Sequence, residues 1–355
     1  MIAGIMSERT KAELASGLRA SAQAIASASV EAQYRAEPAW ERYGEAGRRK
    51  ALADAAENLS YLLSAFELDE PRLLADYVAW LGSLFKGLGL PTGAAEASLY
   101  ALADAAGATT APTAGAALKA FIDAAARSRD AAADAAHMGG PGALAEPYLA
   151  RLLAGDRKGA IAYVEGLRRD GVAIKRIYLE VFAPAQRELG WLWQGNRISV
   201  AQEHYGTAVT QLAMAGLYPE LFSGARRGRS MAAACVGGEL HELGIRMVAD
   251  FFEMEGWDSR YYGANAPGRD LARSLAAEPP ALLCLSATLA VNVRALAETV
   301  AAVRAEPALA GLPIIVGGRP FAVAPGLWKE VGADGTAASA EEALALADEL
   351  VGNAR

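Results

Sequence analysis

Residues 231–244 read MAAACVGGELHELG: a short apolar run, a glycine pair, a polar turn and the start of a helical pattern. Similar strand-like runs recur through the last third of the chain, at residues 231–236, 257–262, 281–286, 313–316 and, more weakly, 333–337. Helical patterns separate them, at residues 243–255, 269–277, 291–304 and 341–351. This alternation of strand and helix predicts a doubly wound parallel sheet.

The chain before this sheet reads as helices. The first part is all-helical, with predicted helices that include residues 11–32, 93–106 and 116–136. The glycine-rich MGGPG at residues 138–142 is the clearest linker. Four more helices fit residues 144–221, and Ser199 is placed to cap the last of them. The sequence therefore predicts a multidomain α and α/β chain: an all-helical domain (1–140), a four-helix bundle (141–226) and the sheet domain (227–355).

Composition limits the classes of function. The 355 residues are 53% hydrophobic and 21% charged, as expected for a globular protein. A net charge of −7 argues against a nucleic-acid partner. No apolar run approaches the roughly 18–20 residues of a membrane span, and the first residues lack signal-peptide features. We therefore expect a cytoplasmic protein that contacts neither membrane nor nucleic acid.

Polar and small residues follow three of the predicted strands. They are Glu239, His241 and Gly244 after the first strand, Ser286 and Thr288 after the third, and Gly317 and Gly318 after the fourth. Ligands of doubly wound sheets bind at this edge, near the point where the strand order reverses. A nicotinamide site is excluded because these glycines do not have the GxGxxG spacing. Neutral imidazole is a good cobalt ligand, and a carboxylate two residues earlier can fix its tautomer.

This combination resembles the cobalamin-binding domain family, whose fingerprint is Asp/Glu-x-His-x-x-Gly, then Ser-x-Leu or Ser-x-Thr, then Gly-Gly. The resemblance implies a Rossmann-like domain in which His241 is the lower axial ligand of cobalt. It also implies that Ser286 and Thr288 hydrogen-bond the displaced nucleotide tail, beside which Gly317 and Gly318 allow close backbone approach. The simpler alternative is a histidine at a helix start, among ordinary turn glycines.

A second motif lies in the bundle, where Trp193 is followed after nine residues by Glu203 and His204. Directly before a cobalamin domain, this resembles the Trp-x9-Glu-His motif of light-sensing adenosylcobalamin domains. The resemblance implies that these three residues pack against and hydrogen-bond the 5′-deoxyadenosyl group. Gln194 departs from relatives in which a histidine follows the tryptophan. The alternative is a core tryptophan followed by two surface residues.

The N-terminal part resembles the helical sensor domain of the photocobilins, cobalamin photoreceptors that also bind the linear tetrapyrrole biliverdin. The stretch Asp76-Tyr77-Val78-Ala79-Trp80 carries the resemblance. Aromatic walls and cations suit such a ligand. Residues of these types are Trp40, Tyr43, Arg48, Arg49, Tyr61, Tyr77 and Trp80. The alternative is an ordinary helical core with a solvated basic run.

Together these features predict an adenosylcobalamin photoreceptor, not an enzyme, whose light response changes an oligomer interface or the binding of an unknown protein effector. A corrinoid methyl carrier for a methyltransferase system is the first alternative. A cobalamin sensor without photochemistry is the second. A cobalamin mutase is disfavoured because no segment has the roughly 250 residues of its substrate barrel.

Overall fold

The computed structural model describes residues 8–128, 140–222 and 226–352. The chain divides into two compact units, Met1–Ala135 and Ala136–Arg355. The second unit contains both the helices and the sheet that the sequence assigns to separate domains. Of the linker predicted at residues 138–142, the first two residues lie outside the described part of the chain, as does His137. Gly140 and Gly142 of this linker are described and have φ values of 63° and 88°.

The first unit is helical, as predicted. Its described helices are α1 (Glu8–Ala20), α2 (Ala22–Ala36), α3 (Gly44–Glu67), α4 (Pro71–Gly87), α5 (Ala94–Thr109) and α6 (Pro112–Arg127). The prediction of one helix over residues 11–32 is wrong, because Ser21 has φ −102° and ψ 8° and separates α1 from α2. The helix predicted at residues 116–136 begins earlier, at Pro112. The end of the predicted range, residues 129–136, lies outside the described residues.

Residues 144–221 form the four predicted helices. They are α7 (Ala145–Leu153), α8 (Arg157–Arg169), a third helix built from α9 (Ile174–Ile177), a π-helical turn (Tyr178–Phe182) and α10 (Ala183–Gln194), and α11 (Val200–Leu221). Ser199 caps α11 as predicted, since its side chain accepts from the Gln202 backbone while the Gln202 side chain accepts from the Ser199 backbone. The bundle core also takes in Met247 and Phe251 from the sheet domain, so the two share one apolar cluster.

The C-terminal part is a parallel five-stranded sheet with helices between its strands, and it confirms the predicted α/β class. Its strands are β1 (Ser230–Cys235), β2 (Asp258–Tyr261), β3 (Leu282–Ser286), β4 (Ile314–Gly317) and β5 (Gly335–Thr336), in the order β2-β1-β3-β4-β5. Its helices are α12 (Leu243–Met254), α13 (Gly268–Ala277), α14 (Val293–Ala305), α15 (Arg319–Val323), α16 (Leu327–Glu330) and α17 (Ala340–Gly352).

Strand order reverses between β1 and β3, which is where such sheets bind ligands. The register places the ends of the central strands level with one another. Cys235 pairs with Ser286, and Ser286 pairs with Gly317. The loops that follow β1, β3 and β4 therefore begin at the same edge.

A membrane span needs a long and strongly apolar helix, and none of the helices in the described part of the chain meets both conditions.

One backbone position at this edge requires glycine. Gly318 has φ 115°, and a Cβ there would overlap the carbonyl oxygen of Ala287. We expect Gly318→Ala to lower the free energy of unfolding by more than about 2 kcal/mol, measured by urea denaturation.

Gly216→Ala is the matched control. Gly216 lies inside α11 with open space around its Cβ position, so alanine there should raise stability by up to about 1 kcal/mol. A Gly318→Ala protein as stable as the parent would contradict the assigned backbone conformation.

Candidate functional site

The carboxylate of Glu239 joins the loops that follow β1 and β3. It is fully buried. Its Oε1 accepts hydrogen bonds from the backbone nitrogen of His241 at 2.9 Å and lies 2.5 Å from Nδ1 of the same residue. Its Oε2 accepts from the backbone nitrogens of Thr288 (2.7 Å) and Leu289 (3.1 Å) and from Nδ2 of Asn292 (3.0 Å). Burial alone would raise the pKa of Glu239, but these donors outweigh it and lower the pKa to about 2.

The imidazole of His241 is oriented by this carboxylate. Its Nδ1 is hydrogen-bonded to Glu239, and 58% of the side chain is exposed, so Nε2 is the ring nitrogen left for a ligand. The hydrogen bond to Glu239 raises the pKa of His241 against the effect of burial, and the charges of Glu239 and Glu203 act in the same direction. A histidine fixed through one nitrogen by a carboxylate is the usual arrangement of a metal-binding imidazole.

The other predicted residues of the sheet domain lie at the same edge. Gly244, in the first turn of α12, has open space where a Cβ would be. Ser286 is the buried last residue of β3, and Thr288 follows it in the loop held by Glu239. Gly317 ends β4, and Gly318 lets the backbone pass Ala287. The structure thus brings together all seven predicted residues of this domain.

Two asparagines that support the site were missed from the sequence. Asn292 donates to Glu239, as described above. Asn265 accepts from the backbone nitrogen of Gly238 at 2.7 Å, while its own backbone nitrogen donates to the carbonyl of Glu239 at 2.9 Å. Asn265 has φ 54°, a conformation that asparagine tolerates well. Nothing in the sequence separates these asparagines from ordinary turn and helix-start residues.

The bundle motif spans the turn between α10 and α11. Trp193 is half-buried near the end of α10, and the following Gln194 is buried. Glu203, in the first turn of α11, accepts from Oγ1 of Thr207 at 3.2 Å. His204 is exposed, with its Nε2 3.6 Å from Oε2 of Glu203. The charge of Glu203 contributes to the raised pKa of His241 in the sheet domain.

Helix α11 is also bonded directly to the histidine loop, residues 237–242. Nε2 of Gln211 donates to Oε1 of Glu242 at 2.6 Å, and the hydroxyl of Tyr261 donates to Oε2 of Glu242 at 2.7 Å. Glu203, Thr207 and Gln211 are spaced by four residues, so they share one face of α11. That face is directed at the histidine loop. The four-residue spacing in the sequence indicates a shared helix face, but not the element that this face contacts.

A second polar contact joins the bundle to the sheet domain deeper in the shared core. The hydroxyl of Tyr178 donates to Oδ2 of buried Asp250 at 2.8 Å. Burial raises the pKa of Asp250, against the hydrogen bonds from Tyr178 and Tyr218 and the charge of Arg246. An ion pair between Lys175 and Glu255 also joins the bundle to the sheet domain.

The residues predicted to suit a bilin in the first unit interact with one another and with nearby carboxylates. Tyr61 and Tyr77 stack at 3.8 Å, and the rings of Tyr77 and Trp80 lie 5.9 Å apart. The remaining predicted residues contact neighbours: Trp40 packs edge-on against Tyr34, Arg42 stacks on Tyr43, Arg48 pairs with Glu31 and Glu41, and Arg49 pairs with Glu45. The structure therefore gives these residues packing and pairing roles within the helical unit.

The pairing of Glu239 with His241 predicts a specific titration. We expect the His241 imidazole of the ligand-free protein to titrate above its ordinary value of 6.5, because the carboxylate favours the protonated ring. A ligand at Nε2 must displace the proton there, so such binding should weaken as the pH falls through this pKa. Two-dimensional NMR of histidine-labelled protein measures the pKa directly.

Glu239→Gln should lower the pKa of His241, and Glu203→Gln should lower it by less, since Glu203 acts only through its charge. An unchanged pKa in Glu239→Gln would contradict the assigned pair.

Comparison with known proteins finds family matches in two parts of the chain, the bundle and the sheet domain. Residues 229–346 match the B12 binding domain family, and residues 144–218 match a second family that is also described as a B12 binding domain. The chain is 31% identical to the HTH-type transcriptional repressor CarH of Myxococcus xanthus over 140 residues, which are 39% of this chain and 46% of that protein. This chain thus matches less than half of the length of that relative.

A solved structure shares the fold. The monomethylamine corrinoid protein of Methanosarcina barkeri aligns with a TM-score of 0.52 and 20% identity, over 57% of this chain and 96% of that one. At this identity the likeness concerns the fold alone. The family matches identify the helical bundle at residues 144–218 and the sheet domain at residues 229–346 as B12 binding domains.

Proposed function

We propose that this chain is an adenosylcobalamin photoreceptor. The observation that carries the proposal is the imidazole of His241, fixed by a buried carboxylate at the switch point of the sheet, with Nε2 left for a metal. The resemblance of Trp193, Glu203 and His204 to the Trp-x9-Glu-His motif of light-sensing adenosylcobalamin domains supports the light-sensing part. When bound, adenosylcobalamin supplies a cobalt–carbon bond that visible light can break.

The lower side of the site fits the group. Glu239 holds His241 in the tautomer that binds a metal through Nε2, and its negative charge raises the basicity of the ring. The open space at Gly244 leaves the first turn of α12 accessible to a large ligand. Ser286, Thr288, Gly317 and Gly318 lie along the same edge, where a nucleotide tail would pass.

The upper side is formed by the bundle. Trp193 offers a flat apolar surface, and Glu203 and His204 offer hydrogen-bonding groups to a ribose or an adenine. Gln194 is buried and is a poor cobalt ligand, so among the motif residues His204 would be the one able to bind the metal if the upper group were lost, with water as the alternative.

Helix α11 connects the upper side of the site to the histidine loop. The same helix carries Glu203 at the upper side and Gln211, which is bonded to Glu242 of the histidine loop. Loss of a partner at Glu203 changes the free energy of one arrangement of bundle and sheet relative to another, which shifts their populations. The output is then a change in self-association or in binding of a protein effector, without catalysis.

We also propose that the first unit takes biliverdin, on the resemblance of its sequence and on its aromatic cluster of Tyr61, Tyr77 and Trp80. Biliverdin titrated into the ligand-free protein should develop a shifted visible absorption band, and Tyr61→Leu should weaken that binding. An unchanged spectrum would remove this part of the proposal and leave the cobalamin site intact.

A light experiment tests the main proposal. The ligand-free protein is loaded with adenosylcobalamin in the dark, exposed to green light, and compared by absorption spectroscopy and size-exclusion chromatography. We expect both the spectrum and the elution volume to change on illumination, with methylcobalamin-loaded protein as the comparison.

The alternatives give different results. A corrinoid methyl carrier would prefer methylcobalamin and pass its methyl group to an added acceptor. A sensor without photochemistry would bind adenosylcobalamin tightly and show no change in elution volume after illumination. Either result would contradict the photoreceptor proposal.

A further inference from the structure

A second buried carboxylate, that of Asp250, lies where the bundle packs against the sheet domain. Asp250 belongs to α12 and is 2% exposed. The hydroxyl of Tyr178 donates to its Oδ2 at 2.8 Å. Tyr178 begins the π-helical turn of the third bundle helix, and such turns are frequent at functional sites. The contact therefore joins a buried acid of the sheet domain to an irregular turn of the bundle.

The two buried carboxylates of this unit are compensated to different extents. Glu239 accepts five hydrogen bonds, three of them from backbone N–H groups. Asp250 accepts from the phenol of Tyr178, with a smaller contribution from the phenol of Tyr218. In the described part of the chain, no cation forms an ion pair with Asp250. A buried carboxylate with so few donors is unfavourable in its charged form.

The surroundings of Asp250 favour its protonated form. The groups that act on it are Tyr178 of the bundle, Tyr218 of α11, and Arg246 and Glu253 of α12 itself. Burial is the largest effect and, with the charge of Glu253, raises the pKa of Asp250 above its ordinary value of 3.8. The two phenols and the charge of Arg246 oppose this rise without cancelling it. The packed arrangement of bundle and α12 therefore retains a proton more readily than an exposed aspartate does.

We propose that Asp250 is a proton-dependent latch between the bundle and the sheet domain. With a proton on this carboxyl group, the bundle packs on α12 as described above. When the proton passes to water, a charge is left in an apolar interface, and the bundle separates from α12 more often so that water reaches the carboxylate. This inference concerns the ligand-free protein and does not rest on the proposed function.

The direction of the pH dependence follows from the raised pKa of Asp250. A carboxyl group with a higher pKa in the packed protein stabilises the packing at low pH, and this contribution is lost as the pH rises through the raised pKa. Opening of the interface should therefore increase as the pH rises above about 4. Glu239 contributes in the opposite direction and only in strong acid, because its pKa is lowered to about 2.

Amide hydrogen exchange of the full ligand-free chain measures this opening. Parent and Asp250→Asn are compared at each pH from about 4.5 to about 8, which cancels the effect of pH on the exchange chemistry. The peptides followed cover the π-helical turn Tyr178–Phe182 and helix Leu243–Met254. Asparagine is uncharged and keeps an acceptor for Tyr178. We expect equal exchange at the lowest pH, and exchange slower by about threefold or more in Asp250→Asn at the highest.

Two further variants protect the test. Tyr178→Phe keeps the ring but removes the donor to the charged carboxylate, so its exchange should rise more steeply with pH than that of the parent. This variant also tests the latch if Asp250→Asn does not fold. Asp258→Asn is the matched control, because Asp258 is an exposed aspartate at the start of β2. It should exchange like the parent at every pH.

Three results would overturn the latch. A rise of exchange with pH that is the same in parent and Asp250→Asn would assign the pH dependence to another group. A difference between these two proteins that does not change with pH would assign Asp250 to packing alone. A Tyr178→Phe protein with the pH dependence of the parent would show that the phenol does not act on the charge of Asp250.

Discussion

The second unit depends on one buried negative charge, the carboxylate of Glu239. A carboxylate without exposure to water is unfavourable unless hydrogen bonds compensate it. Here five donors do so, two of them from His241 and three from the loop after β3 and the residues that follow it. Satisfying this charge therefore fixes two loops at the switch point and sets the orientation of the imidazole. The position of Nε2 of His241 follows from the need to keep a buried carboxylate hydrogen-bonded.

Local patterns in the sequence predicted the architecture and the principal residues of this site. Strand–helix alternation gave the sheet, and the parallel order placed His241, Ser286 and Gly317 at one edge. The residues that local patterns missed act through partners that are far away in the sequence. Gln211 matters because it reaches Glu242, 31 residues later, and Tyr178 because it reaches Asp250, 72 residues later. Periodicity within a helix carries no record of such contacts. The break at Ser21 was missed because serine is tolerated inside helices as well as at their ends.

The contacts between bundle and sheet are of two kinds. Phe251 and Met247 extend the apolar core of the bundle, which resists separation. The hydrogen bond between Gln211 and Glu242 depends strictly on distance and angle, so a small displacement of α11 breaks it. In the proposed function, Glu203 on the same helix connects the arrangement of bundle and sheet to the group bound at the upper side of the site.

The proposed function requires that His241, and not the benzimidazole of the vitamin, binds cobalt from below. Electron paramagnetic resonance of the cobalt(II) form tests it directly, because the axial nitrogen splits the cobalt signal. Protein grown with ¹⁵N-histidine should show doublets in place of the triplets given by ¹⁴N, and His241→Ala protein should not. Triplets that persist in labelled protein would show that the benzimidazole remains attached and would contradict the role proposed for His241.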